Sequence, residues 1–141
     1  MKKIISIIVV TTVLFCTMAH AEYQFAQNWS KQDTAFQATF IVLTMADWAQ
    51  TRWMAKQDWS WDGDQYHETN FVMGKYPSSN EVDLYMPTAI ILHTLIAMAL
   101  PDELKIANMK IHPRRIWQCI WIGAETYTIN NNFALGAKVE F

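Results

Sequence analysis

Residues 30–57 read SKQDTAFQATFIVLTMADWAQTRWMAKQ, and this run decides the fold class. It holds neither Gly nor Pro, the residues that most often interrupt a helix. Ser30 is placed as an N-cap, with a hydroxyl able to accept a first-turn N–H. Asp33 falls at N3, where a carboxylate favours the positive end of the helix dipole. Phe36, Phe40 and Leu43 share the segment, residues 35–46 are almost wholly apolar, and Trp48 and Trp53 lie in the second half. The run predicts a long first helix over 31–57.

Working towards the C-terminus, residues 58–80 form a polar loop containing Gly63, Gly74 and Pro77. A connection this long in a small domain is functional, disordered, or conceals a short element. Ser78, Ser79 or Asn80 can cap a second helix, expected over 81–100. Pro87 inside it implies a kink or a later start, and Pro101 stops it. Residues 102–112 make a polar linker with room for one helical turn near 104–109. Pro113 suits a first helical position. A third helix rich in Ile and Trp is expected from 114 to about 127, ended by Asn130-Asn131-Asn132. In 133–141, Phe133, Leu135, Ala137, Val139 and Phe141 alternate with the period of a strand. Such a tail resembles the closing strand of an outer-membrane barrel, but the first two helices leave no room for the roughly eight or more strands a barrel needs. The expected fold is all-α: a small bundle of three main helices, membrane-associated, with a short strand-like C-terminal tail.

Towards the N-terminus, Lys2 and Lys3 precede an apolar stretch over 4–18, and Ala19-His20-Ala21 places small residues at −3 and −1. This is the pattern of a cleavable export signal. The stretch is shorter than the about 20 residues of a bilayer span. Cys16 follows Phe15, where a lipoprotein signal needs a small residue. The reading is a signal peptide over 1–21 and a single helical domain over 22–141, located in the inner membrane or periplasm. Residues 1–21 carry Lys2 and Lys3 and no acidic residue, so their loss moves the net charge from −2 to −4. No basic stripe remains to follow a phosphate backbone, which argues against nucleic acid as a partner. Cys119 is then the only thiol, so no internal disulfide can form.

Seven Trp, seven Phe and eight Met suit a boundary between water and lipid, where an amphipathic ring is favoured. Membrane lipid is the expected partner, together with a protein partner in the envelope. The apolar cores of the helices are marginal as spans. If residue 22 lies outside the cell, the acidic loop 58–80 falls inside. The linker with Lys105 and Lys110, followed by Arg114 and Arg115, falls outside, against the positive-inside bias. A soluble or peripheral bundle, or an unusual topology, resolves the conflict.

Five residues are candidates for chemistry: Asp47, Arg52, Glu68, His93 and Glu125. Asp47, Gln50 and Thr51 share a helix face, and a carboxylate beside an apolar helical stretch is costly unless paired. The alternative is that the helix leaves its apolar layer at Asp47. Glu68 sits in Tyr66-His67-Glu68-Thr69-Asn70. This segment lacks the second His of a metalloprotease helix, and its polar atoms could equally cap a helix. His93 interrupts the most apolar stretch of the chain, where a lone histidine commonly bonds a neighbouring helix. Glu125 follows Trp121 by one turn. In a compact bundle Asp47, His93 and Glu125, one from each helix, could meet as an acid/base or metal cluster. Asp58, Asp62 and Asp64 place oxygens as in a calcium loop, with Gly63 at the turn. Position 12 is Thr69 rather than the bidentate Glu, so metal binding there is only a weak expectation. No motif for a cofactor is present, and none is expected.

Three stretches carry a resemblance: Asp47-Trp48-Ala49-Gln50-Thr51-Arg52, Glu68-Thr69-Asn70 through Gly74-Lys75-Tyr76-Pro77, and Arg114-Arg115-Ile116-Trp117-Gln118. Together they resemble a group of small membrane or exported proteins of proteobacteria and their phages with no known activity. The resemblance covers most of residues 40–141. It implies an envelope location and a phage origin, and it assigns no catalytic residue. The leading expectation is a non-enzymatic, membrane-associated interaction protein. The alternative is an enzyme or metal site built from carboxylates and a histidine inside the bundle.

Overall fold

A computed structural model describes residues 25–140; the export signal over 1–21 and its cleavage point lie outside the described residues. Helix α1 spans Lys31–Lys56. Its start is a complete capping box: Ser30 Oγ accepts the Asp33 N–H, while Asp33 Oδ2 accepts the Ser30 N–H at 2.8 Å and the hydroxyl at 2.7 Å. Two orphan donors of the first turn are thereby satisfied. Helix α2 spans Ser79–Ala99 and repeats the device with Ser78 and Glu81. It runs through Pro87 without a break, so the expected later start does not occur. Helix α3 spans Pro113–Ala134, with proline in its first turn.

Two small antiparallel strand pairs qualify the all-α expectation. Strands β1 (Ser60–Trp61) and β2 (Asp64–Gln65) pair Ser60 with Gln65 and Trp61 with Asp64. Asp62 (φ 53°) and Gly63 (φ 87°) make the turn, the left-handed pair that matches strand twist. Strands β3 (Leu104–Ile106) and β4 (Met109–Ile111) form the second hairpin, where a helical turn was expected.

The C-terminal expectation is corrected. Asn130-Asn131-Asn132 does not end α3, which continues to Ala134. Asn132 is buried because its amide donates to Asp47 Oδ1 at 2.9 Å, so a residue that competes with helical backbone has a tertiary partner instead. Gly136 turns the chain at φ 84°. The described tail beyond it, residues 137–140, is not a strand. Ala137 is buried while Phe133 and Val139 are exposed, so the alternating residues do not share a face.

Helix α1 packs against both α2 and α3, which approach each other much less closely. An apolar core of Trp53, Met54, Trp59, Val82, Met86 and Ala137 closes one end. Trp59, from the long loop, donates its indole N–H to the Pro77 carbonyl at 3.0 Å. The other end is tied by a buried ion pair. Arg114 and Asp33 are both 0% exposed and meet at 3.3 Å. The Arg114 guanidinium also donates to the carbonyls of Gln27, Ala97 and Leu100 and stacks over Trp29. Burial alone would raise the Asp33 pKa, but the Ser30 hydrogen bonds and the guanidinium bring it below the usual carboxylate value. Arg114 thus joins the lead-in segment to the starts of α1 and α3 and the end of α2.

The outer surface is rich in apolar side chains. Val42 and Met45 on α1, Leu84, Ile91, Leu92 and Leu95 on α2, and Ile116 and Ile120 on α3 are exposed. Among the described residues α2 is the one helix long and apolar enough to cross a membrane, and only 22% of its most apolar window is buried.

Candidate functional site

The sparse contact between α2 and α3 leaves a cavity of ≈ 550 Å³, within the range of small-molecule sites. Asp47 of α1, Glu68 of the long loop, His93 of α2 and Glu125 of α3 all line it. Four of the five candidates from sequence therefore share one space. Arg52 does not: its Nε lies 3.0 Å from Asp83 Oδ1 and 3.1 Å from Oδ2. Trp48 donates to the same Asp83 carboxylate at 2.8 Å, so Arg52 ties α1 to α2 outside the cavity.

Asp47 is 7% exposed, buried within the bundle. Oδ1 accepts from Asn132 and, at 3.5 Å, from the Thr51 hydroxyl. No cation faces it in the cavity, whose lining contains no Lys or Arg. Burial, then the charges of Glu125 and Glu68, push its pKa up to about 7, against the smaller opposing pull of Thr51 and Asn132. Glu125 is likewise raised to about 7 by burial, offset in part by Thr44 beside it. Its Oε2 is buried without a hydrogen-bond partner. Two carboxyls therefore titrate near neutrality in one cavity, as general acid–base chemistry requires.

His93 is 4% exposed and stacks on Phe40 with ring centroids 3.6 Å apart. Its tautomer follows from its neighbours. Thr94 gives its hydroxyl proton to the Ile90 carbonyl, so Thr94 Oγ1 accepts from Gln37 Nε2 at 2.9 Å. The same amide nitrogen then offers its second N–H to His93 Nδ1 at 3.3 Å. The ring proton is left on Nε2, which has no protein partner.

Glu68 is held by its loop. Its backbone N–H donates to the Lys75 carbonyl, and its Oε1 accepts the Asn70 N–H at 2.8 Å. Asn70 in turn donates to the Tyr85 hydroxyl on α2 at 2.8 Å. The loop is thus latched to the bundle with a carboxylate at the cavity wall.

Phe40, Met86, Ile96, Trp117 and Trp121 supply apolar wall. Thr88 and Leu92 of α2 and Trp121 and Ala124 of α3 also line the cavity yet are exposed. They mark a mouth in the seam between these helices, on a flank that also presents Leu95 and Ile120.

The weak calcium expectation places differently. Asp62 and Asp64 belong to the β1–β2 hairpin, Asp58 lies just after α1, and all three are exposed. Among the described residues no three His, Cys, Asp or Glu side chains are grouped so as to hold a metal ion. Asp47, His93 and Glu125, one from each helix, thus line one cavity, without a metal-binding grouping among the described residues. Thr44, Asn70, Tyr85 and Thr128 complete the polar lining. Sequence reading did not single out Thr44, Tyr85 or Thr128; Thr44, in the apolar centre of α1, was the legible anomaly. No protein-family model matches the chain, and no curated protein or solved structure matches it either.

Proposed function

We propose that the protein works through this cavity, as a membrane-associated envelope protein that binds a small, partly apolar molecule and exchanges protons with it through Asp47 and Glu125. The observation that carries the reading is the placement of Asp47, Glu68, His93 and Glu125, from four separate segments, around one cavity with no Lys or Arg in its lining. Burying carboxylates with no cation beside them is costly to folding. A bundle selected for packing alone would replace them with apolar residues of like size. Membrane association rests on the apolar flank of α2 and α3, which water solvates poorly. A bilayer against that flank requires no helix to cross it, which leaves the charge asymmetry of the loops without conflict.

Native mass spectrometry of the full chain, purified from its membrane fraction, tests the reading. Wild type carries a small-molecule adduct, and the Asp47→Asn/Glu125→Gln double variant has lost it while keeping its helical circular dichroism. Adduct-free spectra for both would favour the second reading, an interaction protein acting through its exposed helix faces. That reading is favoured by the apolar residues outside the cavity, Val42, Met45 and Ile116 among them.

A further inference from the structure

We infer that the occupant is a cationic amphiphile: a molecule with a protonated amine held among Asp47, Glu68 and Glu125 and a hydrocarbon tail lying in the seam between α2 and α3. This inference rests on the cavity being the working site and adds the chemistry of its ligand.

Charge sets the head group. Three carboxylates and no Lys or Arg face the cavity. Burial raises the pKa of both Asp47 and Glu125 to about 7, and the charges of Glu125 and Glu68 add to the shift of Asp47. A cation relieves both effects, gaining charge-assisted hydrogen bonds and freeing a proton. Glu125 Oε2 is buried and unpartnered, so the protein alone leaves an acceptor unused at the site. Trp117 and Trp121 also line the cavity, and aromatic rings attract organic cations. The acidic side chains are not grouped for a metal ion; spread around a cavity, they suit a head group with several N–H donors.

The walls set the tail. Apolar surface runs from the buried Phe40 and Met86 to the exposed Leu92 and Trp121 at the mouth. Asp47 is buried while Leu92 and Trp121 are exposed at the lateral opening, which matches a molecule entering from a lipid layer with its head towards Asp47 and its tail outward. A small hydrophilic amine would leave that wall unfilled.

The test compares n-octylammonium, n-octanol and octanoate, which share a chain and differ in the head. Binding to the full chain in neutral-lipid nanodiscs is followed by tryptophan fluorescence at pH 7.5. Each titration is repeated on Asp47→Asn/Glu125→Gln and on Ala124→Trp, which narrows the mouth from an exposed position. Subtracting variant from wild type removes partition into lipid. Octylammonium should bind about ten-fold or more tighter than either other probe. The preference should vanish in the double variant, and binding of every probe should weaken in Ala124→Trp. Equal binding of all three probes, still lost in Ala124→Trp, overturns the cationic ligand and leaves the cavity as the working site. A preference for octanoate overturns it in the same way. No site-dependent binding of any probe overturns both the ligand class and the cavity reading.

Discussion

Asp47 shows how one side chain can be structurally satisfied and energetically exposed to attack at once. Its Oδ1 has two donors, Asn132 and Thr51, yet its charge faces two further carboxylates and no cation. Asp47→Asn should therefore preserve the fold and, at pH 8, raise the melting temperature, because it removes a buried charge while keeping an acceptor for Asn132. A lowered melting temperature at pH 8 would show the charge to be well solvated. Arg114 is the contrasting case. Its partner Asp33 is buried beside it, so Arg114→Ala leaves a buried carboxylate uncompensated. A loss of about 3–5 kcal/mol in urea unfolding is expected; a loss below about 1 kcal/mol would mean that water reaches Asp33. At this scale the sequence was informative where a residue type clashed with its surroundings. Asp47, His93 and Glu125 stood out in apolar helical contexts, and Glu68 in a polar loop. Asn132 was misread because its partner lies 85 residues away, and a tertiary bond cannot be seen in a local pattern. The partner of Arg52 was hidden for the same reason, Asp83 lying on another helix.

The helices were legible where their ends carry their own chemistry. Ser30 with Asp33 and Ser78 with Glu81 close reciprocal capping boxes, and each pair can be read from spacing alone. Ser30→Ala should cost about 1 kcal/mol of stability in thermal or urea unfolding. An unchanged stability would mean that the Arg114 anchor on Asp33 fixes the start of α1 without the cap. The hairpins were not legible. Their strands are two and three residues long, too short for a period to be counted, and only Asp62-Gly63 hinted at a turn. The alternation over 133–141 does not make a face, because Gly136 reverses the backbone and puts Ala137 into the core. Nor does Pro87 set a boundary in α2, whose capped first turn lies on its N-terminal side.

The whole molecule combines a mostly helical bundle, a cavity at a loosely packed seam, and an apolar flank. Phe71, 90% exposed, and Val72 sit at the tip of the long loop, and Val72 also lines the cavity. If the flank meets lipid, replacing Leu84, Ile91 and Leu95 by Ser should shift the protein from the floating to the soluble fraction in liposome flotation. Unchanged flotation would remove the α2 flank from the membrane contact. Global stability should also depend on pH in a direction set by the cavity. Asp47 and Glu125 hold their protons up to about pH 7 when folded, while the unfolded chain releases them near pH 4. His93, lowered to about 4 by burial, works the other way up to about pH 6.5, but with one proton against two, so the folded state binds more protons on balance and its stability falls as pH rises from about 5 to 8. Asp33, Glu81 and Glu103 have lowered pKa values and finish titrating below this window. The central claim, that two buried carboxyls share this cavity, is tested most directly by ¹³C NMR titration of the Asp47 and Glu125 side-chain carboxyls, assigned from Asp47→Asn and Glu125→Gln. The account predicts midpoints near pH 7, with that of either carboxyl falling when the other is neutralised. Independent midpoints near pH 4 for both would contradict it.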